Sequence, residues 1–189
     1  MAEITLQDIA HSYNPEAADK TYALNRFDMK WVDGGRYAIL GPSGCGKTTM
    51  LNIMSGIVRP SEGRLLFDGV DVTDHTTAER NIAQVFQFPV IYGTMTVQDN
   101  LAFPLVCRGY DKAFIKAKVA EVSEALNLEG LLTQSANKLT ADQKQLISLG
   151  RGLVRDNVAA VLMDEPLTVI DPDLKFRLRR KLKEINQKY

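Results

Sequence analysis

Cysteine is scarce in this sequence: only Cys45 and Cys107 among 189 residues. Two thiols give no framework of bridges, which suits a reducing cytosol and excludes a disulfide-stapled secreted scaffold. Net charge is lacking altogether, with 23 Lys+Arg against 23 Asp+Glu. No global field recruits nucleic acid or anionic lipid, so neither is expected as a direct partner. Long apolar runs are absent too. The stretch Val158–Met163 is far too short to span a bilayer, so direct membrane insertion is not expected. The segment Met1-Ala-Glu-Ile4 carries an acid and lacks the basic-then-apolar layout of a signal peptide. Internal repeats and low-complexity tracts are also missing.

What remains is ordinary globular composition, 45% hydrophobic and 24% charged, and a length that suits one core domain with a small insert. Alternating apolar residues predict strands over Ile4–Ile9 and Tyr22–Val32, the second with Phe27, Met29 and Trp31 on one face. The polar stretch Asn14–Lys20 separates them. A short apolar strand is predicted over Arg36–Leu40, running into a glycine-rich turn and a helix from about Lys47 to Ile57. Further strands are expected at Gly63–Phe67, Asn81–Phe86 and Val161–Met163. Residues 96–143 instead show helical periodicity at Val119, Val122 and Leu126, and Leu174–Lys188 reads as a basic amphipathic helix.

The chemistry begins at Gly41-Pro-Ser-Gly-Cys-Gly-Lys-Thr48, which matches the phosphate-binding pattern G-x-x-x-x-G-K-[ST] in a strand-to-helix context. Glycines let successive N–H groups point inward at phosphate oxygens, and the following helix adds its positive end. The residues Gly41, Pro42, Ser43, Gly44, Cys45, Gly46, Lys47, Thr48 and Thr49 are therefore candidate nucleotide contacts. Lys47 brings charge to the β- and γ-phosphates and Thr48 a hydroxyl ligand for Mg²⁺. The bland alternative is a chance glycine-rich turn. A second element, Ala159-Ala-Val-Leu-Met-Asp-Glu165, ends an apolar strand in two acids, at the sheet edge where phosphates bind in such folds. Asp164 is placed to hold Mg²⁺ through water and Glu165 to polarise an attacking water. A strand ending in a solvated acidic turn is the competing reading. It loses weight once a phosphate loop stands upstream.

These two elements resemble those of the ATP-binding-cassette (ABC) ATPases, and Gly41–Thr49 is similar to the version in carbohydrate-import ATPases. The resemblance implies an α/β P-loop NTPase fold: a RecA-like core with an antiparallel β subdomain, over residues 1–95 and 147–189, and an inserted α-helical subdomain over 96–146. It implies ATP and Mg²⁺ as ligands. Val85-Phe86-Gln87 resembles the Q-loop, which makes Gln87 a catalytic and metal-side residue, and Thr96–Phe103 resembles the segment facing a transmembrane partner. Tyr13 lies where the family places an adenine-stacking ring. Tyr22 competes for that role, and strand packing is the alternative for both.

Three departures stand against the family pattern. The signature Leu-Ser-Gly-Gly-Gln is here Leu139-Thr-Ala-Asp-Gln143. Thr140 keeps a hydroxyl, while Ala141 and Asp142 add side chains where the family's backbone meets the ATP of an opposite subunit. At ~5 Å and an effective dielectric of about 20, the charge of Asp142 against phosphate costs roughly 3 kcal/mol before screening. Alternatively, Thr140-x-x-Gln143 is simply a capping box with Asp142 favourable in the first turn; both readings can hold together. Next, the D-loop counterpart Leu167–Asp171 carries Val169 in place of a small polar residue. Finally, the family's switch histidine follows a further strand, and the only histidines here, His11 and His75, lie upstream and are expected at the surface or strand ends.

The resemblance thus implies the ATP-hydrolysing subunit of an importer for a small solute, sugar or polyol by its closest likeness. Such a subunit is cytoplasmic and peripheral on the inner face of the membrane, held by permease subunits. Asp142 favours pairing with a different ATPase subunit over a homodimer. A nucleotide-binding regulatory module without hydrolysis is the alternative. A soluble cassette ATPase of DNA repair or translation ranks third, since no coiled-coil insertion or tandem cassette is visible.

Overall fold

The computed structural model describes residues 1–189 except 18, 156, 169, 173, 174, 177, 181, 182 and 184–189. The helix expected over Leu174–Lys188 therefore lies largely outside the described residues. The chain packs as two compact units, residues 1–84 with 157–164 and residues 85–156 with 165–189.

In the first unit, β1 (Ile4–His11) lies between β2 (Leu24–Trp31) and β3 (Glu62–Phe67), with β4 (Val70–Asp71) beyond β3, all pairs antiparallel. Strict alternation would put Leu6 and Ile9 on opposite faces, yet both are fully buried. The register shifts between them, and Asp8 takes a left-handed φ of 52°. One extra residue thus resets the alternation so that both leucine and isoleucine reach the core. Helix α1 (Lys47–Ser55) packs Met50, Leu51, Ile53 and Met54 into the same core. The short strands β5 (Ala83–Val85) and β6 (Val161–Met163) form a separate ladder. Its bonds Ala159 N to Asn81 O and Ala83 N to Ala160 O advance in the same chain direction on both sides.

The strand expected at Arg36–Leu40 does not form. Residues 35–42 enter no ladder, and Leu40 is 90% exposed. Instead the Tyr37 ring stacks on Trp31 at 5.5 Å and its hydroxyl accepts from Val32 N at 2.9 Å. An apolar pentapeptide specifies a strand only when a partner edge is available; here an aromatic contact with the end of β2 takes its place. The face of β2 read as inward is half-buried at Phe27 and Trp31 and exposed at Met29.

The second unit is built on α3 (Val97–Val106), α4 (Lys112–Leu126) and α5 (Ala141–Leu153). Each begins at a side-chain cap, Thr96, Asp111 and Thr140, which satisfies otherwise orphaned amides. Val119, Val122 and Leu126 are buried, as their spacing predicts. Gly150 sets the approach of α5: a Cβ there would meet Leu101 Cδ2 at 2.5 Å and Leu126 Cδ1 at 3.1 Å.

Arg80, at the end of α2 (Thr77–Arg80), is only 3% exposed. Burial holds its guanidinium below the usual arginine range, yet four of its five N–H donors are used on carbonyls: His75, Ile53, Met54 and Thr73. It thereby closes the C-terminal turn of α1, whose last carbonyls have no helical partner. Replacing Arg80 with Met should cost about 2–4 kcal/mol by stranding those carbonyls. A urea unfolding curve of the two proteins measures it, and a loss below about 1 kcal/mol would contradict this role.

Candidate nucleotide site

The loop from Gly41 to Gly46 owes its shape to left-handed backbone at Gly44 and Gly46, with φ of 81° and 92°. A Cβ on Gly46 would meet Ala23 O and Leu24 Cδ2 at 2.5 Å, and one on Gly41 would meet Cys45 Sγ at 2.5 Å. Backbone closes off Gly46, so glycine there is a steric requirement of this curl, whereas a methyl group at Gly41 would need only the Cys45 side chain to turn aside. Pro42 O accepts from Cys45 N at 3.3 Å, which closes the turn. Ser43 and Cys45 are exposed on it.

Helix α1 starts at Lys47 with Gly46 as its cap residue and no side chain on its leading amides. The other described α-helices are all capped by Thr or Asp oxygens. The loop and the uncapped end together present N–H groups and a positive dipole end, the arrangement that receives a phosphate. Lys47 bends over the loop, its Nζ donating to Gly41 O at 2.9 Å and Pro42 O at 3.0 Å, with Cys45 Sγ at 3.9 Å. Those carbonyls are weak acceptors beside a phosphate oxyanion, so the ammonium is available to exchange them.

Thr48 Oγ1 donates to Asp164 Oδ2 at 2.7 Å. Asp164 ends β6 and is 7% exposed. A hydroxyl and a carboxylate in contact form a hard-oxygen pair that suits Mg²⁺, which completes its shell with water and phosphate oxygens. No group of three or more potential metal ligands occurs among the described residues, so those residues offer no closed cage. The residues fit a cation that arrives with a nucleotide.

Tyr13 is 59% exposed, and its hydroxyl lies 3.1 Å from Thr49 Oγ1. The His11 ring meets it edge-on at 4.6 Å. Tyr22 is engaged elsewhere: its hydroxyl donates to Glu62 at 2.8 Å, and Lys20 Nζ sits 4.5 Å over its ring. His11 takes the strand-end place expected of it but not a surface one. It ends β1 but is buried, its Nδ1 lies 3.2 Å from Ser61 Oγ, and burial pushes its pKa down. The bulge in β1 turns this residue inward, which alternation alone could not show.

In the second unit, Glu165 is exposed with a φ of 44°, and its Oε2 accepts from Thr168 Oγ1 at 3.3 Å. Gln87 is half-buried. Thr140 and Gln143 form a reciprocal capping box: Gln143 N to Thr140 Oγ1 at 3.3 Å and Thr140 N to Gln143 Oε1 at 3.0 Å. Ala141 is exposed and Asp142 half-buried in the first turn they cap. Val169 lies outside the described residues. One polar residue escaped the sequence reading: Gln145, fully buried, whose Nε2 donates to Phe86 O at 3.0 Å and Pro166 O at 2.9 Å. Only its place two residues beyond Gln143, within an apolar helix face, could have flagged it.

The glycine loop, the lysine and the Thr48–Asp164 pair define the class: a P-loop NTPase. The chain belongs to the ABC transporter family, whose model matches residues 24–168. It is 36% identical over 188 residues to an sn-glycerol-3-phosphate import ATP-binding protein of Pectobacterium atrosepticum, covering 100% of this chain and 51% of that one. It is 37% identical over 188 residues to a trehalose import ATP-binding protein of Mycobacterium tuberculosis, covering 100% of this chain and 47% of that one. The chain spans about half the length of the curated relatives it matches. A dimeric ATP-binding cassette solved in a post-hydrolysis state with ADP and phosphate superposes with a TM-score of 0.85 at 26% identity, over 98% of this chain and 83% of that one.

The cradle geometry makes a direct prediction. Gly46→Ala should weaken Mg-ATP binding by about tenfold or more, because the strained loop must open to admit the methyl group. Isothermal titration reads it, and unchanged affinity would place the nucleotide elsewhere. In the parent protein, alkylation of Cys45 should be slowed by Mg-ATP while that of Cys107 is not, as peptide mapping of the label will show.

Proposed function

We propose that this chain binds Mg-ATP and hydrolyses it as the ATP-binding subunit of an importer for a small solute, sugar or polyol in class. The observation that carries this reading is the contact of Thr48 with Asp164 beside a lysine-closed glycine loop. The names of its relatives, importers of sn-glycerol-3-phosphate and trehalose, favour the solute class. In this reading residues 41–49 hold the triphosphate, with Lys47 on the β- and γ-phosphates, and Tyr13, the more exposed of the two tyrosines, stacks on adenine. Thr48, Asp164 and Gln87 serve the metal. Bound Mg²⁺ would spread the charge of the phosphates and ease departure of ADP. Glu165, next to Asp164 in the chain, takes the proton of a water that adds to the γ-phosphorus as the bond to the bridging oxygen breaks. ADP and inorganic phosphate result.

Function divides the chain into a catalytic core, residues 1–95 and 147–189, and an insert, residues 96–146, that meets the permease subunits. No described helix is long and apolar enough to cross a membrane, so attachment to the cytoplasmic face runs through those subunits. Asp142 supports a head-to-tail pair with a different ATPase subunit. This chain's own cradle then faces an intact signature, while Thr140, Ala141, Asp142 and Gln143 close poorly over the partner's ATP. Thr140 Oγ1 and Gln143 Oε1 already accept from each other's backbone in the capping box. The same observation favours a second reading, a module that holds ATP without hydrolysing it.

Two measurements separate them. Glu165→Gln should lower turnover by about a hundredfold while leaving Mg-ATP affinity within about twofold. The protein co-expressed with its second ATPase subunit and permease should turn over much faster than the protein alone. Vigorous turnover of the lone protein removes the case for an asymmetric pair, and no turnover in either setting selects the regulatory module.

A further inference from the structure

We propose that Gln145 is a positioning residue for hydrolysis, holding Gln87 and Glu165 in place through the backbone beside each of them. This rests on the ATPase reading above and extends it to a residue that touches neither nucleotide nor metal.

The geometry is specific. Gln145 lies in the second turn of α5 and is 0% exposed. Its amide nitrogen has two hydrogens, and both are spent on loop carbonyls: Phe86 O at 3.0 Å and Pro166 O at 2.9 Å. Phe86 immediately precedes Gln87, and Pro166 immediately follows Glu165. One side chain thus pins, at neighbouring peptide units, the residue assigned to the metal side, Gln87, and the one assigned to the attacking water, Glu165. Reversing the amide would set its oxygen against two carbonyl oxygens, so the orientation is fixed by its acceptors.

The other end of the amide makes the case stronger. Gln145 Oε1 is buried with no hydrogen-bond partner among the described residues. A buried acceptor without a donor costs stability, whereas a Met or Leu of similar size would fill the space without that cost. A glutamine at this position is therefore a poor solution for packing and a good one for fixing two loops. Neither loop has regular structure of its own at these residues. Glu165 sits at a left-handed φ of 44°, and residues 86–92 are irregular or turn. Their side-chain directions therefore depend on such external ties. Because Gln145 follows the Thr140 cap by one turn, any displacement of the start of α5 is transmitted to both loops together.

The test uses the full chain with Gln145→Met, which keeps the volume and removes the donors, and Gln145→Asn, which keeps an amide too short to reach both carbonyls. Amide hydrogen exchange without nucleotide should quicken by about tenfold in the peptides spanning 87–91 and 165–168, while amides inside α5 stay protected. Mg-ATP affinity should hold within about twofold and kcat should fall about tenfold or more, a split that lost folding would not produce. Exchange unchanged in either loop overturns the proposal, as does a parallel fall of affinity and kcat with loss of folded protein in both variants. Should Gln145→Met fail to fold, Gln145→Asn carries the same outcomes. If the parent protein hydrolyses no ATP in any setting, the ATPase reading fails, and the exchange measurement still decides whether Gln145 fixes the loops.

Discussion

One hydrogen bond organises the nucleotide-facing half of this protein: Thr48 Oγ1 to Asp164 Oδ2 at 2.7 Å. It joins the first turn of α1 to the end of β6, segments more than a hundred residues apart in the chain. A carboxylate only 7% exposed is costly without a donor. Thr48 supplies the donor, and in doing so fixes where the helix starts relative to the strand. The uncapped amides of α1, the curl of the glycine loop and the bent Lys47 side chain all take their positions from that start. The same two oxygens are the pair proposed above to meet Mg²⁺.

The remainder of the first unit supports this arrangement. Arg80 closes the far end of α1 through the carbonyls of Ile53 and Met54 and ties it to those of Thr73 and His75, and the bulge at Asp8 lets β1 bury Leu6, Ile9 and His11 together. Tyr13, just past that strand, is held by Thr49, the neighbour of Thr48. The ring proposed to stack on adenine is thereby tied to the glycine loop's helix by a single hydroxyl pair. The second unit follows another logic. Its helices α3, α4 and α5 are capped by side chains and closely packed through Gly150, and Gln145 on α5 spends both its donors on loop carbonyls.

The segment resembling the signature shows how a local rule and a functional demand compete. Thr140, Asp142 and Gln143 make a favourable helix start, with a reciprocal cap and an acid near the positive end. A partner's ATP would need small, uncharged residues in the same place. The acid that favours the helix start is the one that would oppose a phosphate, and the asymmetric pair proposed above rests on that conflict.

The phosphate loop, the paired acids and the helical stretch were legible in the sequence because each depends on local rules. Glycine is required where φ is positive or space is absent, an apolar run ends at a strand edge, and helical spacing buries one face. Family likeness supplied roles that spacing could not, such as those of Gln87 and Tyr13. What the sequence could not reveal depends on which distant groups meet. The absent strand at 36–40 turned on an aromatic contact with Trp31, the burial of His11 on a bulge, and the role of Gln145 on two carbonyls at residues 86 and 166. Pattern fixes which face of a segment is apolar and which backbone angles are allowed. Only tertiary packing decides which donor finds which acceptor, because hydrogen-bond partners far apart in the chain leave no mark on local periodicity.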